Sequence, residues 1–218
     1  MGFMKPNESL PAACNSDTGY RTTKPYRAIV RNILRDIHWF IRGATIANPP
    51  LCSGPDTILF VCMGNICRSP FAHQFAKTIP TDRPIHIDSA GLRVDKARPS
   101  PANAVAAAAR LGIDLSRNKS KPVSREMLAS SDLVLVMEHW QTRELARRFP
   151  DQSGKVHLLS LYIPFTPGTS FYDRFNIKDP FNQDLSVFIQ SFQRIQLALF
   201  SLSKALDGSS AHPPDRLL

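Results

Sequence analysis

From position 57 onward, short apolar runs alternate with amphipathic helical stretches, a pattern that few folds other than a helix-covered parallel sheet can satisfy. The runs lie at 57–61, 85–88, 133–137 and 156–159, each bounded by turn or helix signals. Helical spacing recurs at about 69–79, 102–112, 124–130 and 139–148. A long closing helix is expected at 184–206, where Leu185, Phe188, Ile189, Phe192, Ile195, Leu199 and Leu202 make one apolar stripe. The expected fold class is α/β: a four-stranded parallel sheet with helices on both faces.

The first 55 residues do not share this pattern. Residues 1–24, rich in Pro, Asn, Ser and Thr, read as a flexible arm. At 25–42, Tyr26, Ile29, Val30, Ile33, Leu34, Ile37, Phe40 and Ile41 recur at helical spacing, while Arg27, Arg31, Arg35 and Arg42 fall mostly on another side. Pro25 suits the start of this amphipathic helix and Gly43 its end. The segments Asn48-Pro49-Pro50 and Ser53-Gly54-Pro55 read as a linker. Three parts are therefore expected: an N-terminal extension at 1–55, one catalytic domain at 56–207 and a short flexible tail at 208–218.

The chain carries 27 Lys and Arg against 18 Asp and Glu, a formal charge of +9 that favours anionic partners without choosing among them. Four cysteines, at 14, 52, 62 and 67, are too few and too clustered for a disulfide framework, so a reducing cytoplasm is the expected compartment. No apolar stretch is long enough to span a bilayer, and residues 1–20 lack the apolar centre of a secretory signal. Neither a myristoylation nor a lipoprotein signal is present, because Pro6 stands where Ser or Thr is needed and no hydrophobic run precedes Cys14.

The chemistry is concentrated in Ile58-Leu59-Phe60-Val61-Cys62-Met63-Gly64-Asn65-Ile66-Cys67-Arg68-Ser69-Pro70: a buried strand, a loop framed by Cys and Arg, and a helix start. A phosphate monoester needs a concave set of backbone N–H donors, which such a loop supplies with the positive end of a helix dipole behind it. Gly64 permits close backbone approach, and Asn65 is a residue type that tolerates the left-handed conformation. Cys62, facing loop amides and a helix N-terminus, is expected to be largely thiolate and so a nucleophile near neutral pH. Arg68 can grip two phosphate oxygens with its planar fork, and Ser69 can donate to the Cys62 sulfur. A Cys and an Arg flanking five residues are by themselves weak evidence, and buried cysteines are usually inert; the strand before, Gly-Asn within and Ser-Pro after make the segment specific.

The stretch from Val61 to Pro70 closely resembles the phosphate-binding signature of the low-molecular-weight protein-tyrosine phosphatases. Asp88-Ser89-Ala90-Gly91 resembles the turn after that family's second strand. Leu111-Gly112-Ile113-Asp114-Leu115-Ser116 and Asp132-Leu133-Val134-Leu135-Val136-Met137 resemble later segments, so the likeness runs from about 57 to 206. It implies hydrolysis of phosphotyrosine through a phosphocysteine on Cys62, with Arg68 as the transition-state clamp and no metal or other cofactor. Met63, Gly64, Asn65, Ile66, Cys67, Arg68 and Ser69 would then form the phosphate-binding loop. The family's general acid lies in an Asp-Pro-aromatic motif, which points to Asp179 in Asp179-Pro180-Phe181, with Phe181 beside the substrate ring. Protonation of the tyrosyl oxygen makes the same demand independently. Cys67 is expected to form a protective disulfide with an oxidised Cys62.

The sequence departs from better-known members at Asn118, where the family usually has His, at Lys121, where Arg is common, and at Asn182, where a second aromatic often follows. The single aromatic and the run Gly154-Lys155-Val156-His157-Leu158-Leu159 look closer to bacterial members that partner tyrosine kinases of polysaccharide export. The implied partners are phosphotyrosine proteins rather than nucleic acid. The apolar stripe at 25–42 needs a partner of its own, either the catalytic domain or a second subunit on which it packs, or an anionic membrane surface in peripheral contact. Two alternatives remain in view. A non-catalytic phosphotyrosine-binding module gains no support from a chain that keeps Cys62, Arg68 and Asp179. A three-cysteine arsenate reductase needs a cysteine pair well downstream of the loop, and none follows Cys67.

Overall fold

The computed structural model describes residues 54–82 and 84–206, together with residues 30, 33, 34, 37, 38, 41, 46–48 and 51. Strand β1 (Thr57–Cys62) pairs in parallel with β2 (His86–Gly91) on one side and β3 (Leu133–Val136) on the other, and β4 (Val156–Leu158) completes the order β2-β1-β3-β4. Helix α1 (Arg68–Ala76) leaves the loop after β1, α2 (Ala102–Arg110) and α3 (Arg125–Ala129) follow β2, and α4 (His139–Arg148) follows β3. The long α6 (Leu185–Leu206) closes the chain.

Because side chains alternate across a strand, the continuous apolar run of β1 feeds two cores. Ile58, Phe60 and Cys62 face α1, α2 and α6, where Phe71 of α1 stacks on Phe192 of α6 with ring centroids 4.1 Å apart. Leu59 and Val61 face Leu128 of α3 and Leu145 of α4. Burying each such Leu or Phe contributes about 1.5–3 kcal/mol relative to leaving it exposed. At the start of the sheet the Asp132 carboxylate accepts from the Thr57 hydroxyl at 2.7 Å and from the amides of Asp56 and Thr57, tying β1 to β3.

Two features differ from the sequence reading. Residues 89–91 belong to β2 and do not form a turn, since Phe60, Val61 and Cys62 pair with Ser89, Ala90 and Gly91 as far as the phosphate loop. A short helix, α5 (Phe171–Phe175), capped by Ser170 accepting from the Asp173 amide, stands in a Pro- and Gly-containing stretch with too few residues to show a helical period. At Gly91 the end of β2 runs close to the phosphate loop, where a Cβ would fall 3.0 Å from the Asn65 nitrogen.

Of the expected N-terminal helix, residues 30, 33, 34, 37, 38 and 41 are helical. Their apolar members are open to solvent, from 50% for Val30 and Ile37 to 69% for Ile41. Asn48 ties the extension to the edge of the sheet: its side chain accepts from the Leu158 amide at 2.7 Å and donates to the Leu158 carbonyl at 3.2 Å. The expected arm at 1–24, the tail at 208–218, Cys14 and Cys52 lie outside the described residues.

Candidate active site

The loop between β1 and α1 is held from behind by Asn65, which takes the left-handed conformation (φ 52°) that its residue type tolerates. Its side-chain amide donates to Ser69 Oγ and Ser89 Oγ, both at 3.0 Å, and its Oδ1 accepts from the Lys121 amide at 3.0 Å. Asn118, where the family usually has His, donates to the Asn65 carbonyl at 3.1 Å, so the substitution keeps a bond to the loop. Lys121 pairs with Asp88 at 2.7 Å.

Within this frame the Cys62 sulfur accepts from the Asn65 amide at 3.3 Å and lies 3.0 Å from Ser69 Oγ. Cys67, the other free cysteine of the loop, is held as a neutral thiol: burial pushes it well above the ordinary range, Cys62 and Asp179 push the same way, and only Arg68 opposes them.

Arg68 is 1% exposed. Nη1 donates to Glu138 Oε2 and to the Ile177 carbonyl, both at 2.8 Å, and Nη2 lies 2.6 Å from Asp179 Oδ2. Its Nε has no acceptor among the described residues. Burial works against the guanidinium charge, but Glu138, Asp179 and Cys62 together more than offset it and hold its pKa above the usual value. Glu138 is itself fixed by Trp140 Nε1 at 3.1 Å and Gln141 Nε2 at 3.3 Å, and it caps the start of α4. Asp179, with its side chain 30% exposed, stands at the mouth, and its Oδ1 accepts from the Phe181 amide at 3.2 Å.

These groups surround a small cleft of about 70 Å³ at the C-terminal ends of the strands, where ligands bind in open α/β sheets. Cys62, Met63, Gly64, Ile66, Cys67, Arg68, Asp179 and Phe181 line it as expected from the sequence, joined by Arg93 and Arg98. Asn65 and Ser69 are not among its lining residues; they act from behind through the bonds just described. Larger hollows of about 450 Å³ beside α4 and about 270 Å³ between α1 and α6 contain neither cysteine nor Arg68. The sequence reading missed Glu138, Arg93 and Arg98. A carboxylate directly after the buried strand 133–137 was the signal for Glu138; nothing local marked the two arginines.

A concave amide loop with a sulfur at its centre and an arginine fork across it defines the cysteine-based phosphatases. A sequence model of the family described as "Low molecular weight phosphotyrosine protein phosphatase" matches residues 57–211. The relatives include the "Probable low molecular weight protein-tyrosine-phosphatase EpsP" of Ralstonia nicotianae, 32% identical over 64% of this chain and 88% of that protein. They also include the "Protein-arginine-phosphatase" of Bacillus subtilis, 30% identical over 68% of this chain and 95% of that one. Among solved structures, Vibrio vulnificus Wzb in complex with benzylphosphonate superposes with a TM-score of 0.62 at 27% identity, covering 70% of this chain and all of that one. The chain belongs to the low-molecular-weight phosphotyrosine protein phosphatases and is a hydrolase of phosphate monoesters.

Proposed function

We propose that this phosphatase acts on phosphotyrosine in proteins, with Cys62 as nucleophile, Arg68 as clamp and Asp179 as general acid. The observation that carries the reading is the Cys62 sulfur, bonded to the Asn65 amide and the Ser69 hydroxyl, sharing one cleft with Arg68 and Asp179. The sulfur attacks phosphorus in line while the bond from phosphorus to the tyrosyl oxygen breaks and Asp179 protonates that oxygen. Arg68 and the loop amides follow the equatorial oxygens. In the second step Asp179 takes a proton from water, the water oxygen attacks phosphorus, and the sulfur leaves with the Ser69 hydroxyl supporting its charge. Ile66 and Phe181 offer apolar walls to an aromatic ring, and Wzb of Vibrio vulnificus, bound to benzylphosphonate, has the same fold. The arginine phosphatase relatives supply the competing substrate. A phosphoarginine side chain carries its own guanidinium, which the arginines at this mouth do not favour. Phosphate release from phosphotyrosyl and phosphoarginyl peptides, with Cys62→Ser as the inactive control, tests the reading; faster turnover of phosphoarginine would redirect it.

Cys67 supports a protective role. Peroxide oxidises the Cys62 sulfur to a sulfenic acid; the Cys67 sulfur then attacks it, the Cys67 proton leaves with the sulfenic hydroxyl as water and a disulfide forms, which dithiothreitol reduces. Wild type is expected to recover most of its activity after peroxide and dithiothreitol, and Cys67→Ser only a small part. Equal recovery of the two would rule the role out.

The extension at 1–55 supports peripheral placement of the catalytic domain on an anionic membrane, beside phosphoprotein substrates such as a tyrosine kinase of polysaccharide export. Val30, Ile33, Leu34, Ile37 and Ile41 recur at helical spacing and are half or more exposed. The sequence sets four arginines in the same segment. An apolar stripe flanked by arginines is the pattern of an interfacial helix. Full-length protein is expected to pellet with anionic vesicles and be released by salt, while protein lacking residues 1–45 stays in solution. Equal pelleting of the two would eliminate the membrane role and leave packing on the catalytic domain or assembly with a second copy.

A further inference from the structure

Arg93 and Arg98 line the mouth of the cleft, yet the hydrolytic steps make no use of either. Both are exposed, and both sit on a loop whose backbone is pinned to the site. The Arg93 amide donates to the Met63 carbonyl of the phosphate loop at 2.8 Å. The Arg93 guanidinium carbon lies 5.7 Å from the centre of the Trp140 ring, a cation–π contact that restrains the side chain. Arg98 is held on both sides by the buried Ser120: its amide donates to Ser120 Oγ at 2.9 Å, and its carbonyl accepts from the Ser120 amide at 2.9 Å. Among the described residues no carboxylate lies within salt-bridge distance of either guanidinium. Glu144, the acid that faces Arg93 from α4, is engaged by Arg147 at 2.9 Å. From 93 to 98 the loop carries Arg93, Lys96 and Arg98 against Asp95 alone.

Two cations carried on a pinned loop at the rim of a cleft that holds only the phosphate and its immediate attachment must meet the residues flanking the phosphorylated side chain. We infer that Arg93 and Arg98 select substrates whose phosphotyrosine is flanked by acidic residues. The inference rests on the phosphotyrosine reading and deepens it. The rim cations attract such a peptide during encounter and hold its carboxylates once the phosphate is seated, so the effect falls mainly on kcat/KM and weakens with salt.

The experiment compares kcat/KM for three phosphotyrosyl peptides of equal length whose flanking positions are Glu, Ala or Lys. The wild-type enzyme is expected to prefer the Glu peptide over the Lys peptide by about tenfold or more at low ionic strength, with the ratio shrinking as salt is added. R93E/R98E is expected to invert the preference. R110E/K204E makes the same change in net charge at the far ends of α2 and α6 and is expected to keep it, which separates the rim from the overall charge of the protein. The singles R93A and R98A, each expected to lower the ratio, serve if the double variant folds poorly. A wild-type ratio below twofold, or equal loss of preference in R93E/R98E and R110E/K204E, would overturn the inference. Turnover of the Ala peptide without charge bias would sink the rim alone, whereas no turnover of any peptide would sink the phosphotyrosine reading with it.

Discussion

Cys62→Ser is expected to abolish turnover of phosphotyrosyl peptides while leaving phosphate-ester binding in place. The covalent path has no substitute for this sulfur: serine puts a hydroxyl, protonated near neutral pH, where the loop is built around a polarisable sulfur accepting from the Asn65 amide at 3.3 Å. Removing the nucleophile of a covalent catalyst costs on the order of 10⁶-fold in kcat. Binding survives because the amides, Arg68 and the α1 N-terminus are untouched. The variant therefore serves as a trap, and bound phosphoproteins recovered with it identify substrates. The measurement is phosphate release together with peptide affinity by calorimetry. Residual turnover within about tenfold of wild type would overturn the assignment of Cys62. Loss of binding together with turnover would mean that the serine had collapsed the loop, a possibility that a melting curve checks.

Arg68→Ala is the second large effect, about 10²- to 10³-fold in kcat, because one preorganised donor to a developing charge is worth about 2.7–4 kcal/mol. The structure adds a complication that the motif alone does not reveal. Arg68 is the counter-charge of Glu138, which is only 9% exposed, and leaving such a carboxylate unpaired costs about 3–5 kcal/mol of stability. Arg68→Lys separates the two effects, since it keeps a cation near Glu138 but loses the planar fork that reaches Glu138, the Ile177 carbonyl and Asp179 together. Its melting temperature is expected to stay closer to wild type than that of Arg68→Ala, while kcat falls in both. A lysine variant with near-normal kcat would show that charge alone suffices and that the bidentate role is wrong.

The network around Arg68 also bears on Asp179. The 2.6 Å contact between Arg68 Nη2 and Asp179 Oδ2 keeps the acid at the mouth of the cleft before substrate arrives. Glu138 and the Ile177 carbonyl hold Nη1 while Asp179 is bonded to Nη2, so the two ends of the fork have separate partners.

How much of this was legible beforehand depends on the range of each interaction. The four apolar runs, the long closing helix and the order strand, Cys loop, helix are local patterns, and the sheet, α6 and the site loop stand where those patterns put them. Phe60 between Leu59 and Val61 reads as a buried run because opposite faces of one strand feed two separate cores. Local pattern stopped too soon at β2, where Ser89 and Gly91 look like turn residues but are drawn into the sheet by pairing with Phe60 and Cys62.

By itself the sequence determined the fold class and singled out the Cys62 loop as the candidate site, because hydrophobic periodicity and the 13 residues from Ile58 to Pro70 act over short distances along the chain. The tertiary structure decided which groups would surround that cysteine. Arg68 meets Glu138 across 70 positions and the Ile177 carbonyl across 109, and Arg93 and Arg98 lie on the loop that follows Gly91, where an added Cβ would crowd the backbone of the phosphate loop. No spacing rule links such residues. The chain brings them together only when burial of the two cores fixes the strand order β2-β1-β3-β4, which sets the loops after β1, β2 and β3 side by side at one end of the sheet.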